Sequence, residues 1–239
     1  MDDISVISQD FVRAVADNIS TYHLNRPVEL ARIVSACRVE SDKAASTEEK
    51  SFWREVAQGV CLRVNKSDNE FTQLWGKKVG VKTADFDVLR YYSRKSDMKA
   101  HTAMCRCMLG FDQKTHFTDT ELRDYYISMY NDELIKVSGH ADVYYWTGKE
   151  WTDENVLSRV RYKLSCLLNE LYTWRIQQLV TKEDWDDTAQ LKDLRSAKSE
   201  LNKAMTASQR QGMLKSICES IMCVCIARLA GGARKRGTS

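Results

Sequence analysis

Apolar residues recur three or four positions apart along most of the chain, the period of helices that bury one face. Residues 4–22 place Ile4, Ile7, Phe11, Val15, Ile19 and Tyr22 on such a stripe and predict a first helix. Pro27 suits the first turn of a second, through Leu30, Ile33, Val34 and Cys37, because its missing N–H is harmless there. The polar stretch 40–47 predicts a loop. Ser46 or Thr47, followed by Glu49, then starts a third helix carrying Phe52, Trp53, Val56, Val60 and Leu62. Ser67 and Asp68 predict the cap of a fourth, with Phe71, Leu74 and Trp75 on its inner face. Gly76 and Gly80 punctuate, and helices over 84–94 and 98–109 complete a helical domain ending near Asp112.

A second block opens at Thr118-Asp119-Thr120-Glu121, whose hydroxyl and carboxylate suit a capping box ahead of Leu122, Tyr125, Tyr126 and Met129. β-prone residues then cluster in 134–137 and in Val143-Tyr144-Tyr145-Trp146, with turn residues at 138–142 and 147–149. This predicts a small hairpin or three-stranded meander reaching Trp151. Asp153 is placed to cap a long helix with Val156, Val160, Leu164, Leu167, Leu168, Leu171 and Trp174 on one stripe. Helices over about 182–205 and 208–229 follow, and Gly231-Gly232 releases a tail. The 182–205 stretch is largely polar and predicts an exposed or partner-dependent helix. The expected fold is mainly α. An N-terminal helix spans 1–27, a helical domain 28–112, and a second domain 118–230 holds the hairpin at about 134–151 ahead of its long helices. A basic tail covers 231–239.

Composition narrows the function classes. One proline and ten glycines in 239 residues exclude a linker-rich or turn-dense all-β chain. No stretch approaches the roughly 20 apolar residues of a membrane span, so no membrane partner is expected. The acidic start, Met1-Asp2-Asp3-Ile4, lacks the apolar segment of a secretory signal, which predicts a reducing intracellular compartment, nucleus or cytoplasmic replication site. Net charge is +3, and Arg234, Lys235 and Arg236 alone supply three positive charges, so the body is neutral and the tail basic. Bulk charge therefore gives no argument for nucleic acid. Of eight cysteines, Cys37, Cys61, Cys166 and Cys218 sit singly in apolar helical patterns. Cys105-x-Cys107 and Cys223-x-Cys225 lack zinc-knuckle spacing. Neither a metal nor another cofactor is expected.

Catalytic motifs are sparse. Gly76-Lys77-Lys78 and Gly148-Lys149-Glu150 lack the preceding glycine and the hydroxyl of a phosphate-cradling loop. Asp85-Phe86-Asp87 alternates like a metal-binding carboxylate pair, but opens a helix, where acidic residues complement the dipole. His23, His101, His116 and His140 have no spacing that pairs them with a nucleophile. The chain is expected not to be an enzyme. Aromatic residues with basic neighbours are more informative: Trp75 with Lys77 and Lys78, Tyr91-Tyr92 with Arg94 and Lys95, and 144–151 with Lys149. Such pairs can stack bases and meet phosphates of a single strand, whereas the same aromatics at helical spacing also suit a core. With Arg234, Lys235 and Arg236, these eight cations are the candidate nucleic-acid contacts.

The order of these patterns resembles a family. Residues 28–112 look like the type 2 primase C-terminal domain of large-DNA-virus and phage primase-helicases. That likeness rests on Val28-Glu29-Leu30-Ala31-Arg32-Ile33-Val34, Phe52-Trp53-Arg54-Glu55-Val56-Ala57, Phe71-Thr72-Gln73-Leu74-Trp75, Asp85-Phe86-Asp87 and Tyr91-Tyr92. Residues 118–229 are similar to the poxvirus-type helicase N-terminal domain, through Tyr125-Tyr126, Tyr130-Asn131-Asp132-Glu133-Leu134 and Val143-Tyr144-Tyr145-Trp146-Thr147-Gly148-Lys149-Glu150-Trp151. The family flanks these modules with a catalytic primase and a superfamily 3 helicase ATPase, and this chain carries neither. The resemblance implies a viral, non-catalytic DNA replication connector that helps position single-stranded DNA, meets a helicase or primase subunit and supports oligomeric assembly.

Two other classes stay open. One is a helical interaction adaptor without affinity for nucleic acid, using the 182–205 helix and the last helix, with Ile217, Ile221, Val224 and Leu229. The other is an enzyme whose site is assembled from distant residues such as His101, Cys105 and Asp119.

Overall fold

Ser8 opens the first helix of the computed structural model, its hydroxyl accepting from the Phe11 N–H at 3.2 Å. The structure describes residues 8–77, 86–130, 133–136, 143–147, 149–181, 188–206, 214–215 and 217–219. Helix α1 covers Gln9–Asp17, α2 Thr21–Leu24, α3 Pro27–Lys43, α4 Thr47–Leu62, α5 Asp68–Gly76, α6 Phe86–Ser96 and α7 Met98–Met108. A 3-10 turn at Phe111–Gln113 leads to α8 (Asp119–Tyr130), strands β1 (Leu134–Lys136), β2 (Val143–Trp146) and β3 (Trp151–Thr152), then α9 (Val156–Thr181) and α10 (Thr188–Thr206). The fold is mainly α with one small antiparallel sheet. The chain forms two compact units that divide after Met104, within α7.

The first unit is built around α3. Ile33, Val34, Ser35, Ala36 and Cys37 are consecutive and all buried, as in a helix surrounded by neighbours. α4, α5, α6 and α2 all touch it. Glu40 on α3 also reaches α6, its carboxylate accepting from the Phe86 N–H at 3.2 Å, one of the donors that a helix start leaves without an intrahelical acceptor. Ser46 caps α4, and Ser67 with Glu70 forms a complete capping box on α5, as their sequence positions predict. The predicted loop at 40–47 is shorter than expected. α3 continues to Lys43, and the Ser41 hydroxyl donates to the Lys50 carbonyl across the turn. Leu62, expected inside, is exposed at the end of α4.

The largest departure from the sequence pattern is the first helix, which is two. Phe11, Val15 and Ile19 are buried as the stripe requires, but α1 stops at Asp17 and Tyr22 is 61% exposed. The break is held from outside. Arg63 donates to the carbonyl of Ala16 at 2.8 Å and also to that of Ile19, satisfying acceptors left at the end of α1. The Asn18 amide donates to the Ser93 hydroxyl (2.9 Å) and carbonyl (3.0 Å), and Ser96 accepts from the Ser20 N–H at 2.8 Å. Tertiary partners win over helical periodicity here. Ile4 and Ile7 lie outside the described residues.

In the second unit, Thr118 and Glu121 cap α8 reciprocally, as predicted. The three strands make a meander in the order β1-β2-β3, pairing Leu134 with Tyr145, Tyr145 with Thr152 and Trp146 with Trp151. Val143 is buried, and Tyr145, two residues on and so on the same face, meets α9 through its hydroxyl, which accepts from Lys163 at 3.3 Å. Asp153 does not cap α9. The helix begins at Val156, after Asn155 at φ 55°, while the Thr152 hydroxyl accepts from the Glu154 N–H instead. The expected stripe from Val156 to Leu171 is buried, and Trp174 is half-buried.

α10, expected to be exposed or partner-dependent, packs its leucine face on α9 within its own unit. Leu191, Leu194 and Leu201 are buried, and Lys198 between them donates to the Thr173 hydroxyl at 2.7 Å on α9. With the Lys198 stem between them, these positions recur at a 3-4-3 spacing and form a narrow seam that the charge-rich composition masks. Of the last predicted helix, residues 214–215 and 217–219 are helical, with Leu214, Ile217 and Cys218 buried. Residues 182–187, Ile221, Val224, Leu229 and the tail lie outside the described residues. Among the described residues no helix is long and apolar enough to cross a membrane. Truncating fully buried Leu194 to Ala is expected to cost about 2–5 kcal/mol in urea unfolding, whereas Lys192→Ala at an exposed neighbour stays within about 0.5 kcal/mol.

Candidate nucleic-acid interface

The break after α1 sets the direction of α2 and brings two of its rings to α6. Tyr22, His23, Tyr92 and Tyr91 form a continuous row in which each successive pair of ring centroids lies 5.2 Å apart. The steps are edge-on or tilted, the arrangements that aromatic quadrupoles favour. The inner pair is enclosed, Tyr92 being buried, while the ends, Tyr22 and Tyr91, reach solvent.

Cations stand at both ends. The Arg26 guanidinium lies 4.3 Å from the Tyr22 ring centre and donates to the Tyr22 hydroxyl. Lys95 places its Nζ 5.7 Å from the Tyr91 ring centre. Arg32, exposed on α3, lends its positive charge to the Tyr92 phenol. Burial pushes the Tyr92 phenol up, and the Arg32 guanidinium opposes this only in part. Glu29 organises the other end. Its carboxylate accepts from Arg26 at 2.9 Å and bonds His23 Nδ1 at 2.6 Å. Burial works against the charged carboxylate, but the bonds from Arg26 and His23 outweigh it and hold Glu29 below the usual range. Three cations and the Glu29 carboxylate therefore border the four-ring row.

The sequence-predicted contacts fall out unequally. Lys95 belongs to the row. Arg94, its neighbour, is 6% exposed and faces the interior, so a strand on the surface does not reach it. Lys77 is exposed at the end of α5, near half-buried Trp75, which packs on Phe71 at 5.8 Å. Lys149 is exposed in the β2–β3 turn, beside the cross-strand pair Trp146 and Trp151, whose centroids are 5.3 Å apart. Lys78, Arg234, Lys235 and Arg236 lie outside the described residues. Tyr22, His23, Arg26 and Arg32 were not among the expected contacts. The one local signal for them is Asn18 with Ser20, residue types that favour helix ends and cap positions.

Other constellations resolve differently. Ser93 and His101 form a buried pair, Oγ to Nδ1 at 3.0 Å, joined by Asn18. His101 and Cys105 are closed off from solvent, and Asp119 is exposed in the first turn of α8. Asp87 bonds Arg90 at 3.2 Å inside the first unit, and its neighbour Asp85 lies outside the described residues. His116 is exposed near Asp193, while His140, Cys223 and Cys225 also lie outside. Among the described residues no group of three or more His, Cys, Asp or Glu side chains is placed to hold a metal. Compared with known families, curated proteins and solved structures, the chain matches none of them. The likeness to primase-helicase modules rests on the residues quoted for it above.

A carboxylate held below its unfolded value, about 4.3, stabilises the fold above that pH and loses its contribution as pH falls through the folded value. The difference in urea midpoint between the wild type and Glu29→Gln should therefore shrink between about pH 5 and about pH 3. A difference independent of pH would remove the ionised Glu29 from the row's cohesion.

Proposed function

We propose that the chain is a non-catalytic single-strand-binding connector of DNA replication, of the primase-helicase type that its sequence resembles. The observation that carries this reading is the row Tyr22–His23–Tyr92–Tyr91 with Arg26 and Lys95 at its ends. Exposed rings accept bases of any sequence by stacking, and flanking cations meet the phosphates between them. A duplex keeps its bases stacked on one another and offers only its backbone, so the row favours single strands. The charges are local, which lets a neutral body bind nucleic acid. Partners of the connector type, a helicase or primase subunit, follow from the resemblance alone.

A second reading is the adaptor. Tyr162 is 72% exposed on α9, and Leu157 on the same helix also reaches the surface, so that α9 presents apolar groups to which a protein partner can bind. The leucines of α10 are engaged inside their own unit and do not serve it.

Fluorescence anisotropy with a labelled single strand and the matching duplex, titrated over salt, separates the readings. Salt-sensitive preference for the single strand, kept by a variant ending at Gly232, supports the connector. Tyr22→Ala should then weaken binding by about 1–3 kcal/mol, the worth of one stacked base. Lys95→Ala should lower the logarithmic salt slope by about 0.7, one phosphate contact on a single strand. Equal affinity for the duplex, or loss with the tail, reduces binding to unspecific charge. Absence of binding at low salt favours the adaptor.

A further inference from the structure

A cleft of about 240 Å³ opens where α2, the start of α3 and α5 meet, on the residues that directly follow the Tyr22–His23 end of the ring row. Its accessible apolar surface comes from exposed Pro27 and half-buried Val64 and Leu74, with Leu24 and Leu30 buried behind them. Asn25, Gln73 and Lys77 add polar groups at its exposed rim. Among the described residues, the side chains of these three have no hydrogen-bond or ion-pair partner. A concavity with an apolar wall and convergent, unengaged polar groups is a common form of small-ligand site.

The rim also has a charge preference. Lys66 and Glu70, both lining the cleft, are paired at 2.8 Å, and the hydrogen bond from Lys66, with those from Ser67, holds the Glu70 carboxyl down to about 2. That pair is neutral as a unit. Lys77 remains as the unbalanced charge, so the cleft suits a ligand with an apolar flat body, an edge of donors and acceptors, and an anionic group.

We infer that this cleft receives one nucleotide of the strand that stacks on Tyr22, with its base against Pro27 and Leu74, its edge read by Asn25 and Gln73, and its phosphate met by Lys77. The inference rests on the single-strand reading above and adds base preference to it. A carboxamide offers a donor and an acceptor side by side, which is how Asn and Gln read base edges. Position favours the same strand: Asn25 follows Tyr22 by three residues, and its N–H bonds the Thr21 carbonyl at 2.9 Å, so helical geometry persists to it. Side chains at that spacing are about 5–6 Å apart at Cβ, within reach of adjacent bases on one chain.

The test uses the full chain and short labelled strands of uniform thymidine, adenosine or cytidine, read by anisotropy. The wild type should favour one base by about fivefold or more, the low end of what a bidentate amide contact discriminates. Gln73→Leu, on the exposed side of α5, should bring the three strands within about twofold of one another while leaving the weakest unchanged. Lys77→Ala should weaken all three alike. An unchanged urea midpoint in each variant confirms that the fold is retained. Binding by the wild type without base preference, or a preference that survives both Gln73→Leu and Asn25→Ala, overturns this inference and leaves the single-strand reading standing. No binding to any strand overturns both. Where strands show no preference, but a free nucleoside monophosphate binds the wild type and not Gln73→Leu, the cleft serves free nucleotides and the strand assignment is overturned.

Discussion

Asn18 ends the first helix by giving its side-chain amide to Ser93 on α6, and the arrangement of the first unit depends on that exchange. A helix that ran on through residue 22 would keep Tyr22 in register with Phe11, Val15 and Ile19, inside the core. The break rotates the chain so that Ile19 stays inside while Tyr22 emerges. Arg63 from α4 satisfies the carbonyls that the break exposes, and Ser96 takes the Ser20 N–H. Three helices thus cooperate to hold one interruption. Without the Asn18 amide the buried Ser93 hydroxyl would keep only His101, a lost hydrogen bond on the order of 0.5–1.5 kcal/mol, enough to matter in a domain of ordinary stability.

Much of the fold was legible because most elements obey a local rule. Ser46, Ser67 and Thr118 cap the helices that their spacing to Glu49, Glu70 and Glu121 predicts, and the meander lies where its β-prone runs fall. Local rules failed where a distant residue decides. Nothing near residues 17–20 announces Arg63 or Ser93. α10 misleads for another reason: three leucines in a lysine-rich sequence lower the average hydrophobicity without widening the seam that packing needs. The candidate site was half legible, since Tyr91, Tyr92 and Lys95 are adjacent in sequence, whereas Tyr22 joins them only through the fold. Arg94 shows the converse, a cation in a promising neighbourhood that the helix turns inward.

Cations seated on rings recur in the second unit with a structural role. Arg106 lies 4.9 Å from the Trp174 ring centre while its Nε donates to the buried Tyr125 hydroxyl. Lys163 sits 4.2 Å from the Tyr130 ring centre and pairs with Glu133. Beside them Tyr145 is pushed up to about 12, by burial first and then by the Glu133 charge. These cations are surrounded by their partners and serve cohesion. Arg26 and Lys95 use the same chemistry at the surface, where the outer rings are open to a ligand.

The ring row is wall as well as surface, because Tyr22 and His23 belong to α2 and Tyr91 and Tyr92 to α6. A ligand spanning both ends bridges two helices that already hold each other through His23 and Tyr92. Occupancy and cohesion are then linked equilibria: whatever binds the intact row and not the opened chain stabilises the junction in proportion to the logarithm of its concentration. The converse holds equally. Fraying of the single turn of α2 would erase the binding surface while leaving the α3 core intact, so affinity would report on this short helix well before global unfolding does.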